Sequence, residues 1–246
     1  MRYYNYLNEN RSQSITKEKF DELLNKNCSQ FLDKMNKDSS VKIYRGLDSS
    51  FEYCYIDPTK FNRKSANTSN YYTILFDEIL PSWKPYPLRS KSIICSSVMI
   101  GAAGYGDVFL VYPYNGSKIG VCSEDDLWYS FSNSFTFDLN ALNRSLEYID
   151  DLMSFGLKEN RDSLLKFCKA IDNSKYIYDN VIKSGDSIVI ELMEGYKKSK
   201  SKFIDYLDRL LNPDKNGFNN YTTSNYKQHF NKEVFIEGPC LMRWWD

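Results

Sequence analysis

Between residues 16 and 37, Phe20, Leu23, Leu24, Phe31 and Leu32 recur near helical spacing, which predicts a helix over that stretch. The polar turn Lys37-Asp38-Ser39-Ser40 leads into a short strand at 41–47, and 48–70 reads as polar and irregular. A helix at 71–80 runs into Pro81, and Pro85 and Pro87 bound a loop. The apolar run 92–97 predicts a strand, 102–105 a helical turn ending at Gly106, and 108–112 a buried strand. Asn115-Gly116 is a hairpin signal, with 118–122 as the returning partner. Helical periodicity resumes over 139–172 through Leu142, Leu146, Ile149, Leu152, Leu164 and Phe167. A strand is expected at 187–192 and a helix at 201–211, stopped by Asn212-Pro213. A long polar loop with aromatic residues, 213–231, precedes closing strands at 234–236 and 241–244 around Gly238-Pro239.

Helix, then short strands, then helices, then strands is an α+β order, not a regular βαβ alternation. With neither repeat nor low-complexity linker, the 246 residues read as one domain, 1–246, with a helical N-terminal part at 1–40 and a helical insertion at 139–211. Net charge is zero, 32 basic against 32 acidic residues, which argues against a broad basic field for nucleic acid but leaves a local basic site open. No apolar run reaches the ~18 residues of a membrane span, and the first residues lack the apolar core of a secretory signal, so a cytoplasmic protein is expected. The six cysteines are scattered without a CxxC pair and His229 is the single histidine. That excludes a zinc site of usual spacing, and reduced, buried thiols are expected. Twenty tyrosines put many Tyr at the surface, where they either grip flat ligands or merely reflect composition.

Three pieces carry candidate chemistry, and their order matters. Ile43-Tyr44-Arg45-Gly46-Leu47 lies on an early strand. Ser92-Ile93-Ile94-Cys95-Ser96-Ser97 follows, with Ala102-Ala103-Gly104-Tyr105-Gly106 just after. Asn231-Lys232-Glu233-Val234-Phe235-Ile236 opens a late strand. Singly, each has a plain structural explanation: a surface strand arginine, polar residues at a strand end, a solvated carboxylate.

In this order they resemble the arginine–serine–glutamate branch of the ADP-ribosyltransferases, which includes cholera-like and C3-like toxins and phage-encoded transferases. The resemblance runs from about 41 to 242. It implies a split sandwich of two small sheets and an enzyme that cleaves the nicotinamide bond of NAD and transfers ADP-ribose to a macromolecule, without a metal. Glu233 would face the cationic transition state of glycosidic cleavage and hold the ribose 2′-hydroxyl. Arg45 would contact a phosphate or ribose of NAD. Gly46 would allow close approach of the nicotinamide amide, Ser96 would hydrogen-bond Glu233 and fix its rotamer, Ser97 belongs to the same serine motif, and Tyr105 is a candidate wall for NAD.

The chain departs from the family at Val98, where a third Ser or Thr is frequent, and at Asn231, where arginine-modifying members carry Glu. Asn donates and accepts hydrogen bonds but is no base, so arginine is disfavoured as acceptor. Asn231, Tyr226 and Phe230, with Phe218 and Tyr221, sit where the family recognises its acceptor, and these rings either stack on a base or pin the loop. A nucleic-acid base is slightly favoured over a protein side chain. The resemblance further implies a cytoplasmic toxin or phage-defence effector with a neutralising, antitoxin-like partner. The competing reading is a non-enzymatic phage structural or accessory protein. The polar run 63–70, with its formal glycosylation triplet Asn67-Thr68-Ser69, and the lysine-rich 197–202 are solvated loop or helix end, or hold phosphate. Cys95 is expected buried, not nucleophilic.

Overall fold

The computed structural model describes residues 12–64, 70–131, 139–153, 156–158, 160–184 and 186–245. The chain divides into two compact units: Met1–Ala66, Pro85–Leu127 and Gly217–Asp246 form the first, Asn67–Lys84 and Trp128–Asn216 the second.

The first unit opens with β1 (Gln13–Ser14), α1 (Lys17–Asn27) and α2 (Ser29–Lys37). The single helix expected over 16–37 is broken at Cys28, whose backbone (φ −117°, ψ 15°) leaves the helical region. Its fully buried thiol donates to the Tyr112 carbonyl at 3.5 Å. Thr16 caps α1, its hydroxyl accepting from the Lys19 amide at 3.3 Å. Phe20 packs against the rings of Tyr53 and Tyr112 (5.0 and 5.8 Å), and Phe31 against Tyr226 (5.9 Å). Each such buried ring contributes on the order of 2 kcal/mol, more than helix propensity supplies, so the sheet is what holds these helices.

β2 (Tyr44–Leu47), β3 (Tyr53–Ile56), β4 (Ser92–Ser96), β5 (Asp107–Pro113), β6 (Lys118–Val121), β7 (Asn219–Thr222), β8 (Glu233–Glu237) and β9 (Cys240–Trp244) complete the sheet, and the five-residue α4 (Met99–Ala103) follows β4. All pairings are antiparallel, in the order β1-β3-β9-β5-β2-β4-β8-β6-β7. The architecture is mixed helix and strand with one open antiparallel sheet, as an α+β order requires. Where two small sheets were expected there is one continuous ladder, nearly divided in the middle. β2 and β4 share a single register pair, Tyr44 with Ser96, whereas β4 and β8 share five.

Three sequence expectations are corrected here. The Asn115-Gly116 turn exists, with Gly116 at φ 81°, but β6 does not return on β5. Asn115 is tied instead to the α1–α2 junction: its amide donates to the Asn27 carbonyl at 2.6 Å, and its side chain accepts from the Gln30 amide at 2.9 Å. That anchor sends the chain across to β8, and the tight pair becomes a crossover. Residues 53–56, within the stretch read as irregular, form β3, with Cys54 and Ile56 buried and Tyr53 and Tyr55 half-buried. The strand expected at 187–192 is the start of a helix, because Asp186 accepts from the Ile188 and Val189 amides and caps it.

The second unit is helical: α3 (Tyr71–Ile74), widened into a π-turn at Leu75–Ile79, then α5 (Leu139–Met153), α6 (Arg161–Asn173), α7 (Lys175–Ser184), α8 (Ser187–Ser199) and α9 (Phe203–Leu210). Phe76 stacks on Trp83 (4.1 Å) and Phe131 (5.9 Å), and the Trp83 indole donates to the Leu211 carbonyl at 2.8 Å. Asp172 ties α6 to the start of α9, accepting from the Phe203 amide at 2.7 Å and the Tyr196 hydroxyl at 2.8 Å. The segment read as a helical insertion, 139–211, falls in this unit together with 70–84. Among the described residues, no helix is long and apolar enough to cross a membrane.

Candidate functional site

The three sequence pieces lie on adjacent strands, β2, β4 and β8. Ser96 is the cross-strand partner of both Tyr44 and Glu233, so these three side chains share one face of the sheet. Strand alternation carries Arg45 to the other side. There its guanidinium donates to the Ile94 carbonyl, at the divide where β2 and β4 separate. Arg45 is buried, at 8% exposure. Burial pushes the Cys95 thiol up to about 12, the Arg45 charge opposing and the Glu233 charge adding to that effect. Cys95 is therefore a protonated core thiol, as the sequence suggested.

Glu233 is held differently from expectation. Its Oε1 accepts from Arg89 Nη1 at 2.8 Å, an ion pair in which the side chains are 7% (Arg) and 13% (Glu) exposed. The Cys122 thiol also donates to Oε1, at 3.7 Å, and the Leu127 amide donates to Oε2 at 3.3 Å. Arg89 lies over the Phe235 ring at 5.1 Å, so its guanidinium is positioned by stacking as well as by charge. The Ser96 hydroxyl, assigned to this carboxylate from sequence, accepts from the Val98 amide at 3.2 Å instead. Ser97 prolongs the β4–β8 ladder: its amide donates to the Lys232 carbonyl at 2.9 Å and its hydroxyl accepts from the Lys232 amide at 2.7 Å. The loop after Cys122 wraps the entry to β8, the Glu233 amide donating to the Glu124 carbonyl at 3.0 Å and Lys232 Nζ to the Ser123 carbonyl.

Gly46 has a structural cause. A Cβ there would lie 2.1 Å from the Ala102 carbonyl oxygen and 2.9 Å from Tyr105 Cβ. Its open side is filled by the backbone of α4, not left free for a nicotinamide. Tyr105, 54% exposed, stands beside it at the surface.

In the loop before β8, Tyr226 is 1% exposed and packs on Phe31, Tyr221 and His229, so it belongs to the core and not to an acceptor surface. Phe218 is buried as well, just ahead of β7, the strand that interrupts the loop expected over 213–231. Phe230, at 85%, is the ring that remains outside. Asn231 adopts a left-handed backbone (φ 51°), which Asn tolerates better than most residues, and donates to Asp125 Oδ2 at 3.4 Å.

Sequence reading missed Arg89, Cys122 and Leu127 as partners of Glu233. The one signal for Arg89 was its place just ahead of the serine strand; for the other two, 111 and 106 residues distant from Glu233, there was none. Of the polar run at 63–70, residues 65–69 lie outside the described residues. The lysine-rich segment ends α8, where Lys200 takes a left-handed cap (φ 52°) and Lys197 sits 3.9 Å over the Tyr178 ring. No family model, no curated protein and no solved structure matches the chain.

Proposed function

We propose that the chain is an NAD-dependent mono-ADP-ribosyltransferase with Glu233 as its catalytic carboxylate. The observation that carries this reading is the juxtaposition of β2, β4 and β8, in which Ser96 faces Glu233 across the ladder and the carboxylate is nearly buried and held at both oxygens. A carboxylate so fixed suits a reaction whose transition state is cationic, because no reorganisation is needed as charge develops. The bond from ribose C1′ to the nicotinamide nitrogen breaks, and nicotinamide leaves with the bonding pair. The acceptor nucleophile then forms the new bond to C1′ and gives up its proton. Ser96, Ser97 and Tyr105 border the same strands, whereas Arg45, on the opposite face and donating to the Ile94 carbonyl, braces the divide between β2 and β4 and is given no NAD contact in this reading. In this reading the fold is that of the ADP-ribosyltransferases, and the protein acts in the cytoplasm as a toxin or phage-conflict effector with a neutralising partner.

The competing reading is a binding protein without chemistry. The exposed apolar side chains of Met99, Ile100, Tyr105 and Phe230 favour it. Glu233→Gln separates the two. With labelled NAD in a bacterial lysate, the variant is expected to stay folded and to lose transfer by roughly 100-fold or more, as removal of an electrostatic catalytic group does. Transfer by the variant at the wild-type rate overturns the assignment of Glu233, and no label with folded wild type favours the binding protein.

A further inference from the structure

A groove of about 740 Å³ opens in the first unit between the end of α2 and the loop that leads into β8. Lys34 and Lys37 line one wall, Lys227, His229 and Phe230 the other. Against these three lysines stands Asp38, whose Oδ1 is occupied by the Ser40 amide and hydroxyl at 2.9 and 2.6 Å. Among the described residues, none of the three lysines is in an ion pair. Burial holds the His229 imidazole below its ordinary range, with the Lys232 charge adding to the effect, and its Nε2 lies 3.0 Å from the Tyr221 hydroxyl. At neutral pH it adds no charge, and the groove is a local cationic site on a chain of zero net charge.

The end of a helix explains part of this, since cations in its last turn complement the dipole. It accounts for Lys34 and Lys37. It does not account for Lys227, which is on no helix, or for Phe230, an aromatic ring 85% exposed at the rim. The loop wall is also braced toward the candidate site. The Gln228 side chain accepts from the Lys42 amide at 2.9 Å and donates to the Ser97 carbonyl at 2.9 Å. Phe230 is three residues from Glu233, at most about 10 Å along the chain. Unpaired cations beside an exposed ring suit phosphates with a base stacked beside them.

We infer that this groove binds the phosphate backbone of a single-stranded nucleic acid and that Phe230 stacks one of its bases at the threshold of the site. The part concerning transfer rests on the function proposed above; the part concerning binding does not. The test is fluorescence anisotropy with fluorescein-labelled single-stranded RNA and DNA 20-mers, without NAD, from about 50 to 200 mM salt. Three lysines each neutralising a phosphate on a single strand give a slope of log K on log salt near −2, a loss of about 20-fold over that range. Lys34→Ala/Lys37→Ala/Lys227→Ala is expected to weaken binding about tenfold at low salt and flatten the slope. Phe230→Ala is expected to weaken it roughly tenfold with the slope unchanged, through lost stacking. Lys197→Ala/Lys198→Ala, in the other unit, changes neither. The triple variant keeps its core, since none of the three side chains is buried, and Lys227→Glu alone is a second check with the same direction. Failure of wild type to bind either oligonucleotide, or triple-variant and Lys227→Glu proteins that bind like wild type, overturns the inference. Label from NAD found only in protease-sensitive material, without oligonucleotide binding, assigns a protein acceptor and overturns the groove while leaving Glu233 in place. Oligonucleotide binding without any transfer overturns the catalytic reading while leaving the groove.

Discussion

Arg89→Met tests the account of how Glu233 is held. The substitution leaves an apolar chain over Phe235 but takes the cation from an ion pair 2.8 Å long whose partners are 7% and 13% exposed. Removing one partner of a fully buried pair costs about 3–5 kcal/mol, most of it the penalty of an uncompensated charge. Glu233 keeps the Leu127 amide at 3.3 Å and the Cys122 thiol at 3.7 Å, both long, and some solvent. The expected cost is therefore near the bottom of that range, about 3 kcal/mol. Glu233→Gln alone takes the carboxylate from the ion pair and is expected to destabilise in the same direction. The double variant Arg89→Met/Glu233→Gln removes both charges and is expected to recover at least about 2 kcal/mol relative to the sum of the single costs. Urea unfolding followed by circular dichroism measures these costs, with unchanged m-values as the check that one transition is being compared. Because the chain has two compact units, amide exchange in β4 and β8 should follow the same order. A loss under about 0.5 kcal/mol for Arg89→Met, or strict additivity in the double variant, would refute the argument, since an ion pair that governs the carboxylate must couple.

Gly46→Ala should destabilise by about 1–3 kcal/mol, because the new Cβ meets the backbone oxygen of Ala102 and α4 has to move. Gly104→Ala, with nothing within 4 Å of its new Cβ, should be neutral in the same thermal melt, and equal melting points for the two would show that α4 is not held against β2. His229 supplies a pH signature. Its pKa is lowered in the folded chain from 6.5, first by burial and then by Lys232, so the unfolded state binds more protons below pH 6.5. Stability present above that pH falls as the solution is acidified toward the folded pKa. Wild type should lose more melting temperature between pH 7.5 and 5 than His229→Gln; an identical loss in both would remove the desolvation argument.

Short-range pattern was enough for much of the scaffold. The apolar runs at 92–97, 108–112 and 234–236 read as strands, and β4, β5 and β8 lie there to within a residue at either end, because a half-buried ladder demands that pattern locally. The periodicity read over 139–172 fills α5 and α6, although 156–158 between them are not helical, and each of the three motif pieces was read onto a strand. What the sequence could not settle was everything set by distant partners. The Asn115-Gly116 turn is visible in two residues, but whether it closes a hairpin depends on Asn27 and Gln30, which hold it elsewhere. Ser187-Ile188-Val189-Ile190 has strand propensity, yet one side chain, Asp186, and the packing of Val189 and Leu192 make it a helix. Tyr226 and Phe230 are aromatic neighbours in one loop, and only tertiary packing sends the first into the core and leaves the second in solvent. Glu233 was legible as a carboxylate at a strand start. Its partner, 144 residues earlier, was not, because the charge that neutralises a buried carboxylate is selected by proximity in the folded sheet and not by spacing along the chain.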